Sequence, residues 1–424
     1  MNSSPQPFIE GRRLMSLVAV LGGVCALGPV AIDLYLPGLP RVAADLGAST
    51  LSIQLTVTTF LVGLGAGQLL IGPLSDRLGR RRPLLAGLGL FTAASVLCAA
   101  APTAAFLVAA RLLEGVGAAA GVVIANAVVT DYFRGRKAAR LLSRLVLVSG
   151  LAPIIGPLLG AQLLRVTSWR GIFAVVAALG ALSFVAVAVG LRESLPPAQR
   201  VTGGLSGTFR SIGVLSHDAA FMGLTVSAAL TFAAFFAYLS ASSFVIQGVY
   251  GASPVVFSIL FSINAVGWLL GSQLNHLLLR RFSPRFLLAV GLVAAVVAGM
   301  AVLGVTLAGG MSVVALSVPL FVLVSATGFA SPDSTALALS RHPEVAGSAS
   351  AYFGTLRLGL AALSTPLVGL GGGVSAMPMA IVIAFASVGA LVVFAVVAPR
   401  VRGAAPQEPA PQTAGEAADD VAVG

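Results

Sequence analysis

The chain has 424 residues, 58% of them hydrophobic and only 9% charged, and 25 Lys plus Arg against 14 Asp plus Glu give a formal net charge of +11. With a mean hydropathy of +1.01, it falls far outside soluble globular proteins, whose charged fraction is about 25%, and reads as an integral membrane protein. Two cysteines and three histidines, dispersed among apolar runs and loop ends, support neither a disulfide framework nor a metal site, and no cofactor is expected.

Crossing about 30 Å of hydrocarbon takes about 20 mostly apolar residues, because every backbone N–H and C=O must be satisfied within its own segment. Twelve windows qualify, at approximately 14–37, 51–72, 83–101, 104–130, 141–164, 170–191, 218–243, 254–279, 285–307, 311–338, 346–371 and 376–398. The expected fold is all-α, with twelve transmembrane helices. With the N-terminus inside, 19 of the 25 basic residues fall on cytoplasmic ends and loops. Three (Arg41, Arg165 and Arg170) fall on the opposite side, and Arg111, Arg144 and Arg357 lie in or at the edge of helices. By the positive-inside rule both termini are cytoplasmic, so the basicity reports topology and not nucleic-acid binding.

In chain order, a tail (1–13) precedes helix one, which ends in "IDLYLPGLP" (32–40) and so places Asp33, followed by Tyr35, in an otherwise apolar run. Helix two leads into "GPLSDRLGRRRP" (72–83). There Gly72 and Gly79 permit a tight reversal, Asp76 can face the N-terminus of a neighbouring helix, and Arg80 can pair with Asp131 at the cytoplasmic end of helix four. Helix four carries Arg111, with Glu114 three residues on and on the same face; an arginine at membrane depth needs a partner or a wet cavity. Counted from the outer ends, Asp33 and Arg111 both lie roughly 6 to 11 Å deep at 1.5 Å per residue. Helix five contains "GLAPIIGPLLGA" (150–161), in which Gly150, Pro153, Gly156, Pro157 and Gly160 bend the helix and admit a close neighbour.

Residues 192–217 are polar and rich in Pro, Gly and Ser, as expected of a cytoplasmic linker. It separates a bundle at 14–191 from a second at 218–398. A shift of 200 residues lays "LLIGPLSDRLGRR" (69–81) over "LLGSQLNHLLLRR" (269–281), matching Leu69, Leu70, Leu74, Leu78, Arg80 and Arg81. Two six-helix halves with weak internal similarity are the pattern of parallel repeats in secondary transporters, which bind substrate between the halves. Asn126, Phe235, Phe236 and Tyr238, together with Tyr35, are candidate cavity residues. Asp333, near the inner end of helix ten, and Arg357, midway along helix eleven, could form a second ion pair. The tail at 399–424 is low-complexity and expected to be disordered.

Several of these stretches resemble the major facilitator superfamily. "GPLSDRLGRRRP" is similar to its G-x-L-x-D-R-x-G-R-[KR] loop, "RLLEGVGAAAG" (111–121) to its R-x-x-Q-G motif with Glu114 in place of Gln, and residues 150–161 to its antiporter signature G-P-x-x-G-G, with Ala161 in place of the last Gly. The D-x-Y-x-P-x-x-P spacing of Asp33, Tyr35, Pro37 and Pro40, and "HPEVAGSASA" (342–351), resemble the Bcr/CflA group of drug:proton antiporters.

The resemblance implies the major facilitator fold, a bacterial cytoplasmic-membrane location and a monomer. It implies a gating latch of Asp76, Arg80 and Asp131, a conformational role for helix five, and proton coupling through Asp33, Arg111 and Glu114. The partners expected are a small-molecule drug, an amphenicol such as chloramphenicol first, and protons, with inward proton flow driving efflux from the lipid bilayer-embedded protein. Three rivals are a proton-linked transporter of a native metabolite, an intramembrane aspartyl protease built on Asp33 and Asp333, and a non-transporting receptor or scaffold, which would need no coupling residues inside the membrane. Against the protease, those acids are placed near opposite membrane faces, too far apart to share a proton.

Overall fold

The computed structural model describes residues 12–133, 135–200, 206–309, 312–342, 345–370 and 375–400. Most of the predicted tails and residues 201–205 of the predicted linker lie outside them. The first half contains α1 (Arg12–Asp33), α2 (Leu39–Asp45), α3 (Thr50–Leu78), α4 (Arg81–Ala99), α5 (Ala104–Tyr132), α6 (Gly135–Val166) and α7 (Trp169–Gly190). α8 (Ser206–His217) occupies the end of the linker segment. The second half contains α9 (Ala219–Phe244), α10 (Pro254–Leu278), α11 (Pro284–Leu307), α12 (Val313–Leu339), α13 (Ala346–Gly369) and α14 (Met377–Val397).

Among the described residues, eleven helices are long and apolar enough to cross a membrane. The predicted window that is not among them is α13, which spans 24 residues but is diluted by Gly, Ser, Thr and Arg357.

The connections are short because polar caps start the helices abruptly. Ser49, Thr103, Ser253, Ser283 and Ser312 each accept a hydrogen bond from the backbone N–H three residues on. Two predicted boundaries shift. Asp33 is the last residue of α1 rather than one well inside it: Pro37 and Pro40 lack N–H donors, and the chain runs through a 3-10 turn at Leu36–Gly38 into α2. In the 72–83 loop, α3 continues through Gly72 and Pro73 to Leu78. The reversal is left to Gly79 at φ +90°, a conformation that only glycine adopts without strain.

Glycine seams set the packing inside each half. In α3, Gly63 and Gly67 lie one turn apart on the face toward α5. A Cβ on Gly63 would overlap the Leu112 carbonyl, and one on Gly115 of α5 the Phe60 carbonyl. The second half repeats this between α10 and α12, where Gly271 faces the Ser325 carbonyl and Gly328 the Trp268 carbonyl. The halves meet through α3 on α13 and α6 on α10.

Because backbone cannot yield as a side chain can, Gly115→Val is expected to cost on the order of 1–3 kcal/mol and to lower the melting temperature of the detergent-solubilised protein. Gly23→Ala, where an added Cβ meets nothing within 4 Å, is expected to leave the melting temperature unchanged. Equal effects of the two would contradict the seam.

Candidate functional site

At the end of the bundle where α1 gives way to α2, hydrogen bonds tie the halves together. Ser243 Oγ donates to the Leu36 carbonyl at 2.6 Å, Gln247 Nε2 to the Pro37 carbonyl at 3.1 Å and Gln54 Nε2 to the Ser240 carbonyl at 3.4 Å. Deeper in the same interface, Ser262 Oγ donates to the Ile154 carbonyl at 2.6 Å. The first two pin the α1–α2 neck of one half against the end of α9 and the turn after it in the other, the third ties α3 to α9, and the last ties α6 to α10.

Asp33 is 3% exposed and lies in this seam. The glycines of α6 make room for it: a Cβ on Gly156 would stand 2.8 Å from Asp33 Cβ, and one on Gly160 would overlap the Leu34 carbonyl. From the other half, Tyr238 comes within electrostatic reach of Asp33. Among the described residues no donor bonds the Asp33 carboxyl and no cation pairs with it. Gly150, higher on α6, faces Leu269 of α10, and Pro153 and Pro157 lie inside the helix between these contacts.

Arg111 and Glu114 do not share a wet space with Asp33, contrary to expectation. Both are 0% exposed and pair with each other at 2.7 Å. Ser95 Oγ donates to the second oxygen of Glu114 at 2.8 Å, and Arg111 also donates to the Ala31 carbonyl at 3.2 Å. The guanidinium lies 4.3 Å from the ring centre of Phe60 and 5.3 Å from that of Tyr35. The reason is local: Glu114 stands where the superfamily motif has a neutral Gln, and its charge holds the arginine inside the first half. Tyr35 is enclosed with it, bonded to Thr56 at 3.3 Å and tilted on Phe173, and so does not line a cavity.

At the opposite end, a cavity of about 590 Å³ opens between α3, α5, α12 and α13. Asn126 and Arg357 line it, together with Gln68, Thr335, Ser348 and Ser350, which the sequence reading missed. The signal for Ser348 and Ser350 was the run of small polar residues opening helix eleven. Phe235, Phe236 and Tyr238 do not line it. They form an aromatic cluster with Phe232, Phe261 and Trp268, and Tyr238 accepts from Asn264 Nδ2 at 2.7 Å. Asp333 and Arg357 do not pair: Asp333, 1% exposed, accepts from Asn275 Nδ2 at 2.5 Å, while Arg357 lies over Phe232.

Two charged clusters flank this open end. Arg80 pairs with Asp131 at 3.0 Å and with Asp76, and Ser194 Oγ donates to Asp131 at 2.7 Å. Burial works against the charge on Arg80, but both carboxylates outweigh it and raise its pKa. Asp76 borders the cavity together with Gly347 and Ser348 at the start of α13. Glu193, which the sequence reading passed over, accepts from the N–H groups of Arg80 and Arg81 at 2.7 and 3.2 Å and so serves the otherwise unpaired donors at the start of α4.

In the second half, Asp218 caps α9 and takes two hydrogen bonds from Arg341, at 2.7 and 3.1 Å, with His342 at 3.0 Å. Its position just before an apolar run was a legible cap signal. Desolvation acts to raise the Asp218 carboxyl. The hydrogen bonds from Arg341, the Ala220 N–H, His342 and the Phe221 N–H outweigh it and hold the pKa at about 2.

A carboxylate depressed on folding stabilises above its unfolded pKa, and the gain is lost as pH falls through the folded value. The melting-temperature deficit of Asp218→Asn is therefore expected to be constant from pH 8 to about pH 5 and to shrink below about pH 4. A deficit that changes between pH 6 and 8 would show that a different group controls this cluster.

Comparisons with known proteins agree with this geometry. The Major Facilitator Superfamily profile matches residues 19–366. An uncharacterized MFS-type transporter, YdgK of Bacillus subtilis, is 37% identical over 394 residues, covering 92% of this chain and 98% of that protein. A chloramphenicol resistance protein of Pseudomonas aeruginosa is 32% identical over 296 residues, 69% of each chain. The crystal structure of the nucleoside transporter NupG superposes with a TM-score of 0.76 at 14% identity, over 91% of this chain and 100% of that one.

Proposed function

The chain belongs to the major facilitator superfamily, as a multi-pass transporter of the bacterial cytoplasmic membrane, and from that premise we propose that it expels small-molecule drugs in exchange for protons. The first candidates are amphenicols, in line with the name of the Pseudomonas relative. In this reading α13 also crosses the membrane, as the eleventh of twelve spans in chain order, and both termini are cytoplasmic. The arginine-rich reversal at Gly79 then lies inside by the positive-inside rule, and the cavity beside Arg80 opens to the cytoplasm while the Asp33 end is closed.

The observation that carries the coupling is Asp33, a carboxyl with no described partner, buried where three helices of the two halves converge. An ionised carboxylate in such a place is costly unless water or a cation reaches it. When the halves rock and this end opens, water reaches Asp33 and a proton can load; when it closes, the neutral carboxyl fits the seam. Proton release requires rehydration or a passing contact with Arg111, which lies in the same half and already bonds the carbonyl of Ala31. Arg111 and Glu114 then hold the end of α1 in place and accept part of that charge redistribution. Asp76, Arg80 and Asp131 act as the latch of the cytoplasmic end, and Gly150, Pro153, Gly156, Pro157 and Gly160 let α6 pivot between α1 and α10.

Asp33→Asn is isosteric and is expected to retain expression and melting temperature while reducing chloramphenicol-driven proton movement in everted membrane vesicles to background. Undiminished proton release on drug addition in that variant would overturn the coupling role of Asp33.

A further inference from the structure

The charged side chains of the described interior have partners at almost every turn. Arg111 has Glu114, Arg80 has Asp76 and Asp131, and Arg341 has Asp218. Arg357 is different. It lines the 590 Å³ cavity, yet no described carboxylate lies within ion-pairing distance, and its Nε is buried without a hydrogen bond. Its guanidinium is 4.1 Å from the ring centre of Phe232 and 5.6 Å from that of Phe353.

Stacking on ring faces fixes the plane of a guanidinium while leaving its in-plane N–H donors unspent. The acid on the cavity wall does not serve it. Gly354, one turn from Arg357, packs against Gln68. Asp76 is eight residues further along α3, about 12 Å at 1.5 Å per residue, and is already taken by Arg80. The other polar groups nearby, Gln68, Asn126, Thr335 and Ser350, are neutral. The deep part of the cavity is thus a pre-oriented cation in a low-dielectric wall, lacking its anion.

We propose that Arg357 is a specificity-determining residue, and that the transported molecule presents to it a planar pair of oxygens, as a carboxylate or its uncharged isostere, a nitro group. This rests on the cavity being the drug site of the proposed exporter. A planar two-oxygen acceptor meets the guanidinium fork with two parallel hydrogen bonds, whereas a cationic substrate would meet an uncompensated like charge. The aromatic cluster behind Phe232, which includes Trp268 at 5.7 Å, offers the adjoining apolar surface for a ring.

Trp268 also supplies the readout. In a Trp169→Phe background, purified protein is titrated with chloramphenicol, which carries a nitro group, with thiamphenicol, which carries a methylsulfonyl group in its place, and with the cation tetraphenylphosphonium, following Trp268 fluorescence. Chloramphenicol is expected to bind about tenfold tighter than thiamphenicol, the loss of one charge-assisted hydrogen bond, and tetraphenylphosphonium weakest. Arg357→Gln is expected to abolish the preference for chloramphenicol and to improve binding of the cation. Arg357→Lys, which keeps the charge but not the fork, is expected to recover only part of the preference, and equal melting temperatures of the variants exclude misfolding.

Equal affinities of the wild type for the three probes, an unchanged order in Arg357→Gln, or no binding of chloramphenicol at millimolar concentration would each overturn the proposal. Proton exchange in vesicles reads the exporter assignment separately. Drug-driven proton movement combined with binding indifferent to Arg357 sinks this inference alone, and Arg357-dependent binding without proton movement sinks the exporter and leaves the site.

Discussion

A charge inside a membrane has to be answered by another charge, by hydrogen bonds or by water, and this requirement organises the interior of the protein. Arg111 shows the ion-paired case, with one nitrogen, Nη2, left buried without a hydrogen bond. Glu114, the Ala31 carbonyl and the faces of Phe60 and Tyr35 surround its guanidinium, so it fastens α1, α3 and α5 into one body. Truncating either member would leave the other as an uncompensated buried charge, which is far more damaging than losing the pair as a whole. A half built this way can rotate as a unit. Asp33 and Arg357, which lack described ionic partners, are found where the halves face each other.

The two halves use the same devices with the charges exchanged. In the first, a base in the turn after α3, Arg80, reaches an acid at the end of α5, Asp131. In the second, a base just beyond the end of α12, Arg341, reaches an acid at the start of α9, Asp218. Both clusters lie at the end of the bundle that holds the cavity, and each ties helices of its own half. They stiffen the rims without spanning the gap. Interhalf hydrogen bonds instead concentrate at the other end, where Ser243 and Gln247 grip the neck after Asp33.

The sequence made the helices and their order legible because the backbone constraint in lipid is severe and leaves long apolar windows. It also pointed to the Arg80 pairing, since a loop with one acid and several bases has few arrangements. Two errors share a cause. Asp33 with Arg111, at comparable depth, and Asp333 with Arg357, on successive helices of the second half, were joined as opposite charges of one half without regard to which way each side chain faces. Depth along a helix says nothing about azimuth: Asp333 meets Asn275, placed by the packing of α10 on α12, and Arg111 meets Glu114, three residues on in its own helix, a partner that the same-face spacing had already offered. The aromatic residues Tyr35, Phe235 and Phe236 were equally ambiguous, since a ring that lines a cavity and a ring that fills a bundle have the same composition. Gly79 was readable as a reversal, but Gly72 was not distinguishable from a second turn glycine until its helical position was seen.

The separation of Asp33 from the open cavity bears on how proton and cargo could be linked. Were both to compete for one carboxylate, the acid would have to line the space where cargo enters, and Asp33 does not. It is held in the closed seam, backed by Gly156 of α6, and α6 in turn contacts α10 through the Ser262 bond to the Ile154 carbonyl. Arg357 belongs to α13, which packs on α3 of the opposite half. Each group therefore feels the relative orientation of the halves without touching the other. Linkage needs no more than this: if charge on Asp33 favours an arrangement in which its seam is hydrated, and cargo on Arg357 favours one in which its cavity is formed, each shifts the other's binding by the same factor. Such coupling runs through the rigid-body equilibrium, and its strength depends on how stiff the two halves are, which returns the burden to the sealed Arg111–Glu114 pair and the glycine seams around it.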